Sequence, residues 1–69
     1  MISFETATAK AADFLKRQGI YLVSLKQVEH TTDKWVVTYE ELFSFAPKPQ
    51  TYVVEMAEEN GELIGFQRT

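Results

Sequence analysis

The sequence of 69 residues has no cysteine, two prolines, three glycines and a single histidine. Without cysteine there is no disulfide, no thiolate nucleophile and no thiolate metal site. The three glycines, Gly19, Gly61 and Gly65, are too scattered to form a loop that cradles phosphate. Long apolar runs are missing as well, so no segment is expected to span a membrane, and no basic-then-apolar stretch resembles a signal peptide. Basic residues are few: seven stand against ten acidic ones, for a net charge of −3. A duplex binder needs a basic face to neutralise phosphates, so nucleic acid is not an expected partner. What is present is ordinary for a folded protein, with 45% hydrophobic residues, five Phe, three Tyr and one Trp. A chain this short builds one core, so residues 1–69 are read as a single small domain.

The first segment carries the periodicity of an amphipathic helix. Phe4, Ala7, Ala11, Ala12, Phe14 and Leu15 fall on one arc, and Glu5, Thr6, Lys10, Asp13, Lys16 and Arg17 on the other. Thr8 inside the apolar arc and Ala9 on the polar side are mild exceptions. Ser3 stands where an N-cap belongs, Glu5 lies in the first turn, and Lys16 and Arg17 lie in the last, as the helix dipole favours. Gly19 supplies a left-handed residue to end the helix. The pattern predicts a helix over Ser3–Gln18, and its alanines predict close approach to whatever it covers.

Strands follow. Ile20–Val28 is β-branched and apolar, with Tyr21, Val23 and Leu25 on one side. His30–Lys34 reads as a polar turn. Trp35–Phe45 alternates, with Trp35, Val37, Tyr39, Phe43 and Phe45 on one side and Val36, Thr38, Glu40 and Ser44 on the other. Glu41 falls among the aromatics and Leu42 opposite them, which calls for a bulge near Glu40-Glu41 or an open edge. Pro47 and Pro49 stiffen the connector from Ala46 to Gln50. Thr51–Ala57 and Glu62–Arg68 make a last hairpin. A three-residue loop, Glu59-Asn60-Gly61, would pair Met56 with Ile64 and Val54 with Phe66, with Gly61 in the left-handed region. The expected fold is α+β: an N-terminal helix on one face of a four-stranded antiparallel meander, in the order α-β-β-β-β.

Chemistry-bearing residues are sparse. His30 beside Asp33 lacks the ligand count of a zinc site and reads as a solvated turn histidine. Glu55, Glu58, Glu59 and Glu62 cluster in sequence around the last turn, but paired-acid catalysis needs fixed spacing across a cleft, and the calcium-loop order of acids is absent. Solvated charges that discourage aggregation are the simpler reading. Ser3, Ser24 and Ser44 lack a nucleophile-elbow setting. Lys10, Lys16, Arg17 and Lys26 form at most a small basic patch on an acidic chain. No catalytic residue, cofactor or metal ligand is assigned, and an enzyme is not expected.

The aromatics say more. One helix covers one face of a sheet, yet Trp35, Tyr39, Phe43, Phe45, Tyr52, Val54, Ile64 and Phe66 run the length of the meander, while Leu42 and Val53 oppose them. Leu42, Phe43, Phe45 and Val53 are therefore the candidate residues for a protein contact. A second copy paired through the sheet is the simplest partner.

The second half also carries a recognisable pattern: a Trp opening an alternating valine strand that ends in glutamate, a proline, Tyr-x-Val, a glycine turn, and Glu-Leu followed by an aromatic and Arg. Here these are Trp35, Val37, Glu40 or Glu41, Pro47, Tyr52, Val54, Gly61, Glu62, Leu63, Phe66 and Arg68. In this the chain resembles the gas vesicle protein O family, small accessory proteins of gas vesicle gene clusters. The resemblance covers about half of the chain, and the preceding helix is consistent with it. It implies a cytoplasmic, non-catalytic bacterial factor acting in assembly or regulation through protein contacts. PepSY-type domains and small bacterial immunity proteins share the same helix-plus-meander plan, and shared architecture does not license shared function. A small-ligand or metal-binding domain using His30 and the acidic turn is the alternative of a different class.

Overall fold

The computed structural model of the chain describes residues 1–42 and 48–69. Five elements follow one another: α1 (Phe4–Arg17), β1 (Val23–His30), β2 (Lys34–Glu41), β3 (Thr51–Ala57) and β4 (Leu63–Arg68). The strands pair antiparallel in sequence order, β1-β2-β3-β4, so the expected α+β meander is the observed one.

Both ends of α1 are made by local chemistry. The Ser3 hydroxyl accepts the Thr6 N–H at 3.1 Å, satisfying one of the orphan donors of the first turn. At the other end Gly19 has φ of 80°, the Ile20 N–H donates to Leu15 O at 2.9 Å, and the Gly19 N–H donates to Lys16 O at 3.0 Å. This paired closure turns the chain sharply and drops Ile20 back onto the core beside Leu15. The first strand consequently starts at Val23 rather than Ile20, because Ile20 is spent on the helix stop. Tyr21 is exposed ahead of the strand instead of lying in it. The strand also runs on to His30, which pairs with Trp35, so the polar turn shrinks to Thr31–Asp33.

The core lies between α1 and the facing side of the sheet. Ala7, Ala11 and Leu15 of α1 are buried against Trp35, Val37 and Tyr39 of β2 and Tyr52, Val54 and Met56 of β3. The two alanines bring the helix backbone down onto the strands, and Leu15 fills the space near its end. Tyr39 reaches up to α1, its hydroxyl donating to Thr8 O at 3.1 Å. Burial pushes the Tyr39 phenol above its ordinary value. A raised acid of this kind favours the fold below the unfolded value near pH ~10 and loses that contribution as pH climbs through the folded value. Lys34 is raised as well, through its hydrogen bond and charge interaction with Glu55, and acts over the same alkaline range. Stability should therefore fall above about pH 10. A Tyr39→Phe chain should lose about 0.5–1.5 kcal/mol at neutral pH yet decline less steeply in alkali, as urea titrations at pH 7 and 10.5 would reveal. Equal slopes would mean that the phenol is not the group responsible.

Two irregularities set the register, one on β1 and one at the start of β4. Pairing of β2 runs unbroken through Glu41, opposite Val23 on one side, and the Glu41 N–H donates to Gln50 O on the other. No bulge falls at Glu40-Glu41. The Glu41 carboxylate, on the helix side of the sheet, accepts the Gln50 N–H at 3.1 Å, so its out-of-phase position is satisfied by the backbone. The register shift sits instead on β1 between Leu25 and Gln27, around Lys26. The last hairpin differs by one residue. Val54 pairs with Phe66 as expected, but Met56 pairs with Leu63, not Ile64.

The reason is the loop. Ala57 N–H donates to Glu62 O at 2.7 Å and Gly61 N–H to Ala57 O at 2.8 Å, which encloses four residues, 58–61, rather than three. The Asn60 side chain accepts the Glu62 N–H at 2.9 Å and tightens the turn. An extra residue near Ile64 then restores the phase before Phe66, leaving Ile64 exposed instead of in the core. Gly61 does take the left-handed conformation, with φ of 74°. A Cβ there would also lie 2.6 Å from Cδ of Lys10. Gly61→Ala should cost about 1–2 kcal/mol in urea unfolding. Gly65→Ala, with open space and no positive φ, should be neutral or stabilising by up to about 1 kcal/mol. Equal effects of the two would refute this account of the turn.

Candidate functional site

Of the four residues singled out for a protein contact, Leu42 and Val53 are among the described residues. Phe43 and Phe45 lie outside the described residues. Val53 is half-buried on the face away from α1, between Thr38 and Gln67. That face is mixed rather than apolar. Lys34 reaches Glu55 at 2.8 Å and Lys26 reaches Glu40 at 3.3 Å, and Val36, Thr38, Thr51 and Val53 share the surface with them. Leu42 is 52% exposed at the end of the sheet, where its N–H donates to Leu22 O at 3.0 Å. Its exposed apolar neighbours in sequence and pairing are Leu22 and Tyr21, which the strand periodicity had assigned to a pleat.

A better-formed feature lies on the helix side. Four strands are wider than one helix, and α1 packs most directly over β2. Toward β4 the sheet is left partly uncovered, and a groove of about 550 Å³ opens there. Val54 and Met56 form its floor, Phe14 and Leu63 are its apolar walls, and Lys10, Asp13 and Arg17 rim it from the helix. The Phe14 ring meets Phe66 edge-on at 5.0 Å, and Phe66 in turn stacks parallel to Tyr52 at 6.3 Å. Arg68 lies over the Tyr52 ring at 5.5 Å. Phe14 of α1, Phe66 of β4 and Tyr52 of β3 thus form one run of ring contacts across the helix side of the sheet. Sequence reasoning missed Leu63 because the three-residue loop placed Ile64 in its role.

The chemistry-bearing groups are otherwise engaged. His30 stacks flat on Trp35, with ring centroids 3.9 Å apart and planes 3° from parallel, and its Nε2 lies 3.5 Å from Glu58. It is a cross-strand neighbour of the indole rather than a free turn residue. Glu55 is held by Lys34, whereas Glu59 and Glu62 are exposed. Among the described residues no group of three or more His, Asp or Glu is gathered so that it could hold a metal ion. The small basic patch is divided as well: Arg17 bonds Asp13 on the helix, and Lys26 bonds Glu40 on the sheet. No described helix is long and apolar enough to cross a membrane.

The chain matches no family model, and neither the curated proteins nor the solved structures contain a match to it.

Proposed function

We propose that this protein is a small non-enzymatic interaction domain that binds a protein through the groove between α1 and β4. One observation carries the reading. The groove has Val54 and Met56 on its floor and Phe14 and Leu63 on its walls, Phe14 is held edge-on by Phe66, and the charged lining residues Lys10, Asp13 and Arg17 stand along its helical rim. Apolar surface with a polar rim is the usual composition of a protein contact. A photo-crosslinking residue at Leu63, introduced into the whole chain in its own cells, should give a discrete adduct with a protein. The same residue at the exposed Glu29, on the opposite face, should not. No adduct at Leu63, or identical adducts at both positions, would refute the groove as the contact.

The resemblance to gas vesicle protein O supports a finer form of this proposal, in which the domain is a cytoplasmic accessory factor in gas vesicle assembly. Of the residues that carry the resemblance, Trp35, Val37, Tyr52 and Val54 are core residues, Leu63 lines the groove, Phe66 packs against its wall residue Phe14, and Arg68 lies over Tyr52. If the finer form is right, deletion of the gene should stop vesicle formation, and Leu63→Glu should do the same without unfolding the chain. Normal vesicles in both strains would remove the gas-vesicle reading and leave the crosslinking result to decide the broader one.

A further inference from the structure

The turn between β3 and β4 holds the chain's one asparagine, Asn60, directly before Gly61. This order carries a latent reaction. The side-chain carbonyl carbon of an asparagine and the backbone nitrogen of the next residue are spaced to close a five-membered ring, and a glycine there has no Cβ to stand in the way. Asparagine is for this reason among the chemically labile residues of a chain. Gln18-Gly19, at the helix stop, has one more methylene and would have to close a six-membered ring, which is slower.

In the folded turn both reacting groups are occupied. The Gly61 N–H, whose proton must leave before its nitrogen can attack, donates to Ala57 O at 2.8 Å. The Asn60 Oδ1 accepts the Glu62 N–H at 2.9 Å, which ties the side chain to the residue beyond Gly61. Asn60 is nevertheless exposed, so water and base reach the site. Exposed backbone bonds of a turn open at a lower free energy than those of the core.

We propose that Asn60 is a site of spontaneous deamidation, held back by these two bonds and reached when the turn opens. The inference goes beyond the reading of the groove as a protein contact and does not depend on it. Gly61 N loses its proton to solvent base and bonds to Asn60 Cγ; the Cγ–Nδ2 bond breaks, and the amide nitrogen takes a proton from water and leaves as ammonia. Water then opens the cyclic imide. Attack at Cγ leaves aspartate. Attack at the main-chain carbonyl carbon of residue 60 leaves isoaspartate, whose backbone runs through Cβ and Cγ and is one methylene longer.

The two products differ in their effect on the turn. Aspartate keeps a side-chain oxygen that can accept the Glu62 N–H. Isoaspartate lengthens the loop directly before Gly61, which lies so close to α1 that a Cβ on it would stand 2.6 Å from Lys10 Cδ. Both Gly61 and Lys10 line the groove, so the longer loop reshapes it there.

The whole chain, held at mildly alkaline pH and then digested, should show amide-to-acid conversion at Asn60 by mass spectrometry, with isoaspartate identified by methylation with an isoaspartyl methyltransferase. Conversion should be at least about tenfold slower in buffer than in urea sufficient to unfold the chain, since only the opened turn reacts. The Asn60→Asp chain should unfold at the same urea concentration as the unaged protein, and the purified isoaspartyl form at a lower one. Equal rates in buffer and urea, or faster conversion in buffer, overturn the proposal. An Asn60 that stays intact in the unfolded chain overturns it as well, and so does an isoaspartyl form as stable as the unaged protein.

Discussion

Replacing Leu15 by alanine should remove about 2–5 kcal/mol of stability, a large share of the roughly 3.5–10 kcal/mol expected of so short a chain. Leu15 is fully buried and is among the largest side chains to be so. The other buried positions of α1, Ala7 and Ala11, are already small, so Leu15 supplies the greatest single volume that the helix puts into the core. Its neighbours cannot close the gap easily, because the alanines hold the helix backbone at a distance set by direct contact with the strands. Leu15 also sits one turn before the helix stop, and its carbonyl accepts the Ile20 N–H. A cavity there loosens the turn that returns the chain to β1. Thermal unfolding followed by circular dichroism should show a midpoint at least about 10 °C lower, or no cooperative transition at all. A shift below a few degrees would mean that the helix is not anchored through this side chain.

Trp35 should give the second large effect, and comparison of two substitutions makes it diagnostic. The indole is 6% exposed, stacked by His30 on one side and met edge-on by Phe4 at 6.5 Å. Trp35→Ala removes both contacts and should cost about 3–5 kcal/mol. The indole Nε1, however, is buried with no hydrogen-bond partner among the described residues. Phenylalanine keeps a ring between His30 and Phe4 and removes an unsatisfied donor, so Trp35→Phe should cost no more than about 1.5 kcal/mol. Urea titrations of the three chains would check this. Equal losses for Phe and Ala would show that the indole N–H, rather than ring packing, secures this end of the core.

Much of the architecture is written locally. Ser3, the apolar arc through Leu15 and Gly19 specify the helix and both of its ends, because capping and periodicity act within one or two turns of chain. Alternation in Trp35–Tyr39 and Thr51–Met56 likewise specifies which side of the sheet is buried, since the side-chain period of a strand is two. Gly61 is legible as a left-handed turn residue for the same local reason.

Tertiary structure decided the rest. Whether the turn holds three residues or four depends on the Ala57–Glu62 and Gly61–Ala57 bonds, which compete with the alternation of β4; the compromise is a four-residue loop followed by an extra residue near Ile64. That one-residue choice exposes Ile64 and puts Leu63 beside the groove. The shift around Lys26 is likewise a matter of pairing between strands, falling on β1 opposite a β2 whose own register is unbroken through Glu41. The groove itself has no sequence signature. It arises because one alanine-lined helix is narrower than four strands and sits off-centre above them, and sequence periodicity fixes which face of an element is apolar but not how far a neighbour covers it.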